Sequence, residues 1–303
     1  DAARLTVVVA HFDEDLSWVS RLVERKFRVV VYHHAGRRRT REHHALGDAA
    51  APRANDAPLP AVPPGVPLVV PEINPDDLDW HKGIIANPNC STIIMDVVVW
   101  PLYQRAKVKR IVVSTYQAVS GAGAPAMQEL ESQTRQILAS EEIEPREFPH
   151  QIAFNLFSHN SDVGPDGYCE EETKMIRETK KMFHDDSIGV TATTIRVPVM
   201  RAHSEAINLE FFEPFTAENA RDILAEAPGV RIVDNPADSH FPMPIESSGK
   251  DDVLVGRIRQ DVSRPDQTGL DLWVSGDQLR KGAALNAVQI AEVMIERGLI
   301  KRV

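Results

Sequence analysis

The sequence predicts an α/β plus α+β protein, in which a truncated or atypical Rossmann-like unit precedes a larger sheet-bearing part. Leu5–Ala10 and Phe27–Tyr32 are short, apolar, β-branched runs, and Asp13–Lys26 between them carries Leu16, Val19 and Val23 at helical spacing. The chain therefore opens β-α-β. Further strand-like runs follow at Arg110–Tyr116, Val190–Val199, Ala206–Phe212, Asp252–Ile258 and Gly269–Val274, with helical stretches at Pro125–Ser140 and Glu170–Lys181 between the first two. A long helix is expected from Gly276 through Leu285, Val288, Ile290, Val293 and Ile295 to a glycine stop at Gly298.

The turn after the first strand decides what the opening unit can do. A dinucleotide-binding turn needs glycines so that the backbone can approach a pyrophosphate. Here it reads Ala10-His11-Phe12-Asp13-Glu14-Asp15, without glycine and with three carboxylates that would repel a phosphate. From Gly36 to Gly65 the apolar period dissolves into a basic run, Arg37–Arg41, then alanines and prolines, and reads as an extended linker. The basic run is read as a solvated loop, with contact to an anion such as the 2′-phosphate of NADP as the lesser alternative. Order returns with a strand at Val66–Val70, then a loop and Gly83–Ala86.

Asn87-Pro88-Asn89-Cys90-Ser91-Thr92 runs straight into the apolar segment Ile93–Trp100. Pro88 bars helix at the residue before it, and Asn89 and Ser91 are capping types, so a helix should begin beside Cys90. A thiol at a helix N-terminus meets unpaired N–H groups and the positive end of the macrodipole. Cys90 is therefore expected to have a depressed pKa and to be a nucleophile. Gln117–Gly123 ends a strand in a polar residue and a glycine-bearing loop, which suits close backbone approach to a ligand. Glu170–Lys181 is a charged helix with Glu171 and Lys174 one turn apart on one face. Arg196 lies among apolar residues and needs a partner anion, which a substrate carboxylate would supply. His203 has the chemistry of a general acid or base near neutrality.

Composition limits the function classes. The chain has 303 residues, 43% of them hydrophobic, enough for one large or two medium domains. A net charge of −10 argues against nucleic acid or anionic membrane as partner. With only Cys90 and Cys169, no disulfide framework is expected and a reducing compartment is the default. No run approaches the roughly 18 to 20 apolar residues of a membrane span. The chain opens at Asp1, so a targeting segment is not legible, and location is read only as soluble, cytoplasmic or plastid. No metal site is expected.

From about Pro67 onward the chain resembles the aspartate-semialdehyde dehydrogenases. The matching stretches are Ala86–Thr92, Thr115–Gly123, Arg196–Glu205, Phe241–Pro244, Val255–Arg259 and Gly276–Asn286. The resemblance implies a mixed-sheet catalytic and dimerisation domain at 91–276, with a nucleotide-binding-like domain at 1–90 completed by 277–303. It implies Cys90 as a nucleophile forming an acyl-thioester, Gln117 orienting substrate and His203 as acid/base. Arg196 would hold the substrate carboxylate, Glu171 its amino group and Lys174 the phosphate, with Asn89 beside them. Ser120, Gly121, Gln278 and Asn286 would lie along NADP. The implied partners are a small-molecule substrate and phosphate, in a homodimer or homotetramer.

The first third departs from that family. The glycine loop is absent, Ala61 stands about where a phosphate-binding arginine is expected, and the path to Cys90 is shorter by roughly forty residues, one or two β-α units. Val7–Trp18 faintly resembles the start of a glycosyltransferase-like family. A fusion, a mispredicted start and an incomplete chain all fit. The alternative function is accordingly a non-catalytic relative that keeps the dimeric domain without cofactor binding, and the chain as written is expected to turn over poorly.

Overall fold

The computed structural model describes residues 6–10, 28–32, 65–159 and 161–299. The helix expected at Asp13–Lys26, the turn after Ala10, the basic run and the linker up to residue 64 lie outside the described residues. Strand β1 (Thr6–Ala10) pairs in parallel with β2 (Arg28–Tyr32) on one side and with β3 (Ile84–Ala86) on the other. The opening unit is thus a small parallel sheet in the order β2-β1-β3.

Val66–Val70 does not form the strand expected of it. Only Leu68 bridges to Ala86, because Asn74 turns the chain away. Its Oδ1 accepts from Val70 N at 3.0 Å and its Nδ2 donates to Leu68 O at 2.8 Å, which removes backbone groups from any ladder.

The second sheet is mixed: β4 (Val108–Gln117), β5 (Gly189–Arg196), β6 (His203–Phe211), β7 (Val230–Ile232), β8 (Val253–Gln260) and β9 (Gly269–Gly276), in the order β5-β4-β6-β9-β8-β7. The expected strand Val190–Val199 stops at Arg196, where Val199 N turns back onto Val197 O at 2.8 Å and Val199 O accepts from Val119 N instead of continuing the ladder. The strand expected from Ala206 begins at His203. Helix α1 (Cys90–Arg105) packs across this sheet, followed in the chain by α2 (Ala124–Leu138), α3 (Glu170–Phe183), α4 (Ala217–Ala225) and the short α5 (Pro244–Ser247). Ile93, Val97 and Val98 of α1 and Met175 and Met182 of α3 join Ile111, Val113, Ile207, Leu209 and Val274 of the sheet in the main core. The other face of the sheet, with Val112, Ser114, Tyr116, Asn208 and Trp273, is only half-buried.

The final helix is not continuous from Gly276. Asp277 Oδ1 accepts from Leu279 N at 2.9 Å, and Gly282 N and Ala284 N bond five residues back, to Asp277 O and Leu279 O. A wide π turn (Arg280–Ala284) results before α6 (Leu285–Glu296). Ala287, Ile290 and Met294 of α6 form a second small core with Val69, Leu78 and Ile85. Buried Lys281 ties the same parts together through Glu72 at 2.6 Å and Gln289 at 2.7 Å. Among the described residues no helix is long and apolar enough to cross a membrane, and no group of His, Cys, Asp or Glu is arranged to hold a metal.

Candidate active site

The site lies where β4 and β5 end, β6 begins and α1 starts. In-register pairing sets Gln117 beside Arg196, and the β4–β6 register brings His203 to the same edge. Strand alternation turns all three toward the buried face under α1. Ala202, in the left-handed region at φ 71, turns the chain into β6.

Cys90 is the first residue of α1, as the capping argument requires. Asn89 Oδ1 accepts from Ser91 N at 3.0 Å and Thr92 N at 3.2 Å. Its other amide atom, Nδ2, donates to Glu171 Oε1 at 2.7 Å, and Gln117 Nε2 reaches the same oxygen at 3.1 Å. Glu171 is held there because α3 is pinned to β5: Glu172 accepts from Cys169 N and from Thr194 N. Arg196, 6% exposed, donates Nη1 to Ala118 O at 2.6 Å and lies 5.7 Å from the Phe148 ring, while its Nε has no hydrogen-bond partner. Ala118 N donates to His203 Nδ1 at 3.0 Å.

Glycines line the remaining space. A Cβ on Gly121 would stand 3.0 Å from His203 Cε1 and 3.3 Å from Arg196 Nη1, and one on Gly282 would stand 3.0 Å from Cys90 Cβ. Ser120 and Gln278 are hydrogen-bonded to each other, and Gln278 Oε1 accepts from Ala202 N.

The electrostatics overturn one expectation. Cys90 does not have a depressed pKa: burial first, then the Glu171 carboxylate, push the thiol up to about 12, with Arg196 and the Ser91 backbone pulling it the other way. A helix N-terminus stabilises a thiolate by about 1 kcal/mol, less than desolvation and a nearby carboxylate cost it. The resting group is a neutral thiol. Burial also lowers Arg196, with Glu171 and Cys90 opposing.

Lys174 stands one turn from Glu171 and pairs with Glu170 at 3.1 Å. Asn286 is fully buried, its Nδ2 spent on Val69 O and Asn87 Oδ1 and its Oδ1 on Lys281. A hydrogen bond donated from it to a cofactor would have to break one of these, and only the second lone pair of Oδ1 remains. Sequence reasoning missed Glu178, whose Oε2 accepts from Asn89 N at 2.8 Å and whose carboxyl is raised to about 7, chiefly by burial. Its spacing from Glu171 and Lys174, on one helical face, was the available signal.

Residues 99–281 match the family model described as semialdehyde dehydrogenase, dimerisation domain. The aspartate-semialdehyde dehydrogenase of Synechocystis sp. is 58% identical over 235 residues, 78% of this chain and 69% of that protein. The chain belongs to the aspartate-semialdehyde dehydrogenase family. A crystal structure of aspartate semialdehyde dehydrogenase II from Vibrio cholerae, complexed with ASA, superposes with a TM-score of 0.74 at 44% identity, covering 77% of this chain and 68% of that one. The Candida albicans enzyme, solved with NADP, shares the fold at 23% identity and a TM-score of 0.59, over 78% and 68% of the two chains.

Proposed function

We propose that this chain carries out the NADP-dependent reductive dephosphorylation of L-aspartyl 4-phosphate to L-aspartate 4-semialdehyde, and its reverse, through an acyl-thioester on Cys90. The observation that carries the reading is the convergence of Cys90, Gln117, Arg196 and His203 at one end of the mixed sheet, in a chain of this family.

Each group has a part. Cys90 attacks the acyl carbon and the carbon–oxygen bond to phosphate breaks, with the thiol proton passing to the departing phosphate oxygen so that hydrogen phosphate leaves. Arg196 receives the substrate carboxylate on its unpartnered Nε and remaining N–H groups. Glu171, fixed by Asn89 and Gln117, takes the ammonium group, and Lys174 the phosphate. Gln117 positions the acyl group over Cys90. His203 holds a proton on Nε2 for the carbonyl oxygen.

The glycine-walled space at Gly121 and Gly282, which a Cβ would fill, fits a flat nicotinamide against Cys90, with Ser120 and Gln278 at its edge. When bound, NADPH supplies the hydride that turns the thioester into the aldehyde. Residues 1–90 with α6 form the nucleotide-binding part in this reading and 91–276 the catalytic part. The half-buried outer face of the mixed sheet, around Tyr116 and Trp273, is the surface that pairs two subunits.

The test is spectrophotometric. With aspartate semialdehyde, phosphate and NADP, the chain should form NADPH, and Cys90→Ala should abolish it. Saturable NADPH binding without turnover in the unaltered chain would reject the reading.

A further inference from the structure

Glu205 is a buried acid to which the reaction above gives no part. It follows His203 by two residues on β6, so both side chains lie on the face covered by α1, and its cross-strand neighbours are Thr115 and Val274. It is 0% exposed, and neither carboxyl oxygen has a hydrogen-bond partner. Asp96, equally buried on α1, is the acid that bears on it electrostatically. Asp96 Oδ1 accepts from Thr179 at 3.2 Å, while its Oδ2 has no partner. The other titratable groups around the pair are Cys90 from the start of α1, His203 along β6 and Glu178 from α3. Among the described residues no ion pair reaches either carboxyl.

A carboxylate out of water without a donor costs several kcal/mol, and such a group takes up a proton instead. Two neighbouring acids cannot both ionise there. A neutral acid still has an O–H to place. The unpartnered oxygens of Glu205 and Asp96 can supply donor and acceptor to each other, directly or through one internal water. We propose that Glu205 and Asp96 form a proton-sharing carboxyl pair beneath the nucleophile, with Glu205 a positioning residue held as the neutral acid. It keeps negative charge away from the floor of the site, where an ionised Glu205 is one of the charges that raise the Cys90 thiol.

The proposal rests on Cys90 being the nucleophile, but its test reads protonation and not turnover, so the two can fail separately. Infrared spectra are taken in H2O and D2O at mildly alkaline pH, where exposed carboxyls are all ionised. The unaltered protein should show a deuterium-sensitive carbonyl stretch of a protonated carboxyl, Glu205→Gln should weaken it, and Asp96→Asn should shift its frequency. The pH midpoint of Cys90 alkylation should not move in Glu205→Gln, because the amide mimics the neutral acid. A midpoint shifted to lower pH would mean that Glu205 is ionised and overturn the proposal. The absence of any such band in the unaltered protein would also overturn it, whether or not a variant folds. A band indifferent to Asp96→Asn would dismiss the pairing.

Discussion

The backbone N–H of Ala118 donates to Nδ1 of His203 at 3.0 Å. An amide N–H can only donate, so Nδ1 must offer its lone pair, and a flipped ring would set a carbon against the amide. The proton of the neutral ring therefore sits on Nε2. Nitrogen-15 NMR of the labelled imidazole should show the Nε2–H tautomer as the neutral form. The Nδ1–H tautomer would contradict the bond and remove His203 as a ready donor.

Cys90 and Glu171 offer the sharpest electrostatic test. The carboxylate raises the thiol, so Glu171→Gln should lower its pKa and increase the thiolate fraction near neutrality. Iodoacetamide alkylation should quicken in proportion, by roughly tenfold if the thiol becomes ten times more acidic. Arg196→Met should act in the opposite direction. Equal rates in all three proteins would show that neither charge reaches the sulfur.

Arg196→Lys keeps the charge and loses the planar fork. In the present contacts one Nη1 is committed to Ala118 O while Nε remains to receive a carboxylate, a division that a single ammonium cannot reproduce. The Michaelis constant for aspartate semialdehyde should rise by about tenfold or more, equivalent to about 1.4 kcal/mol. An unchanged constant in steady-state kinetics would take the carboxylate away from Arg196.

Much of this site is readable from the chain. Pro88 and Asn89 announce a helix starting at Cys90 through local rules alone, and strand alternation at Gln117, Arg196 and His203 needs only a period of two. The thiol's charge state is not readable in the same way. Glu171 comes from a segment far along the sequence, and only folding sets it near Cys90. The last helix misleads for a related reason. Its apolar period runs on through Leu285, but the Asp277 carboxylate claims the N–H of Leu279 and opens a π turn that periodicity cannot reveal. Val66–Val70 looks like a strand because the Asn74 side chain that ends its pairing lies outside the run.

Glu178 gives a pH signature. Burial chiefly raises its carboxyl in the folded protein to about 7, well above the ordinary glutamate range. For a raised acid, stability is fully present below the unfolded value and is lost as pH rises through the folded value. Glu178→Gln cannot ionise, so its melting temperature should exceed that of the unaltered chain above neutrality by a few degrees, and the advantage should vanish in mild acid. Scanning calorimetry across that window checks the sign. A variant less stable at alkaline than at acid pH, relative to the unaltered chain, would reverse it.

Gly282 tests the space beside the sulfur. It belongs to the π turn, its φ is not in the left-handed region, and an alanine there carries no backbone penalty of the kind that Gly249 or Gly298 would. The added methyl meets Cys90 Cβ at 3.0 Å, Cys90 Cα at 3.3 Å and Gln278 Cβ at 3.3 Å, so helix start and π turn must separate by a few tenths of an ångström. That displacement is small for folding and large for hydride transfer, where a misplacement of about 1 Å can cost a hundredfold in rate. Gly282→Ala should therefore keep a melting temperature within a few degrees of the unaltered chain while kcat falls at least about tenfold and NADPH binding weakens. Full activity would show that the wall formed by the π turn does not bound the reacting groups, and loss of the fold would show that the turn belongs to the core and not to the site.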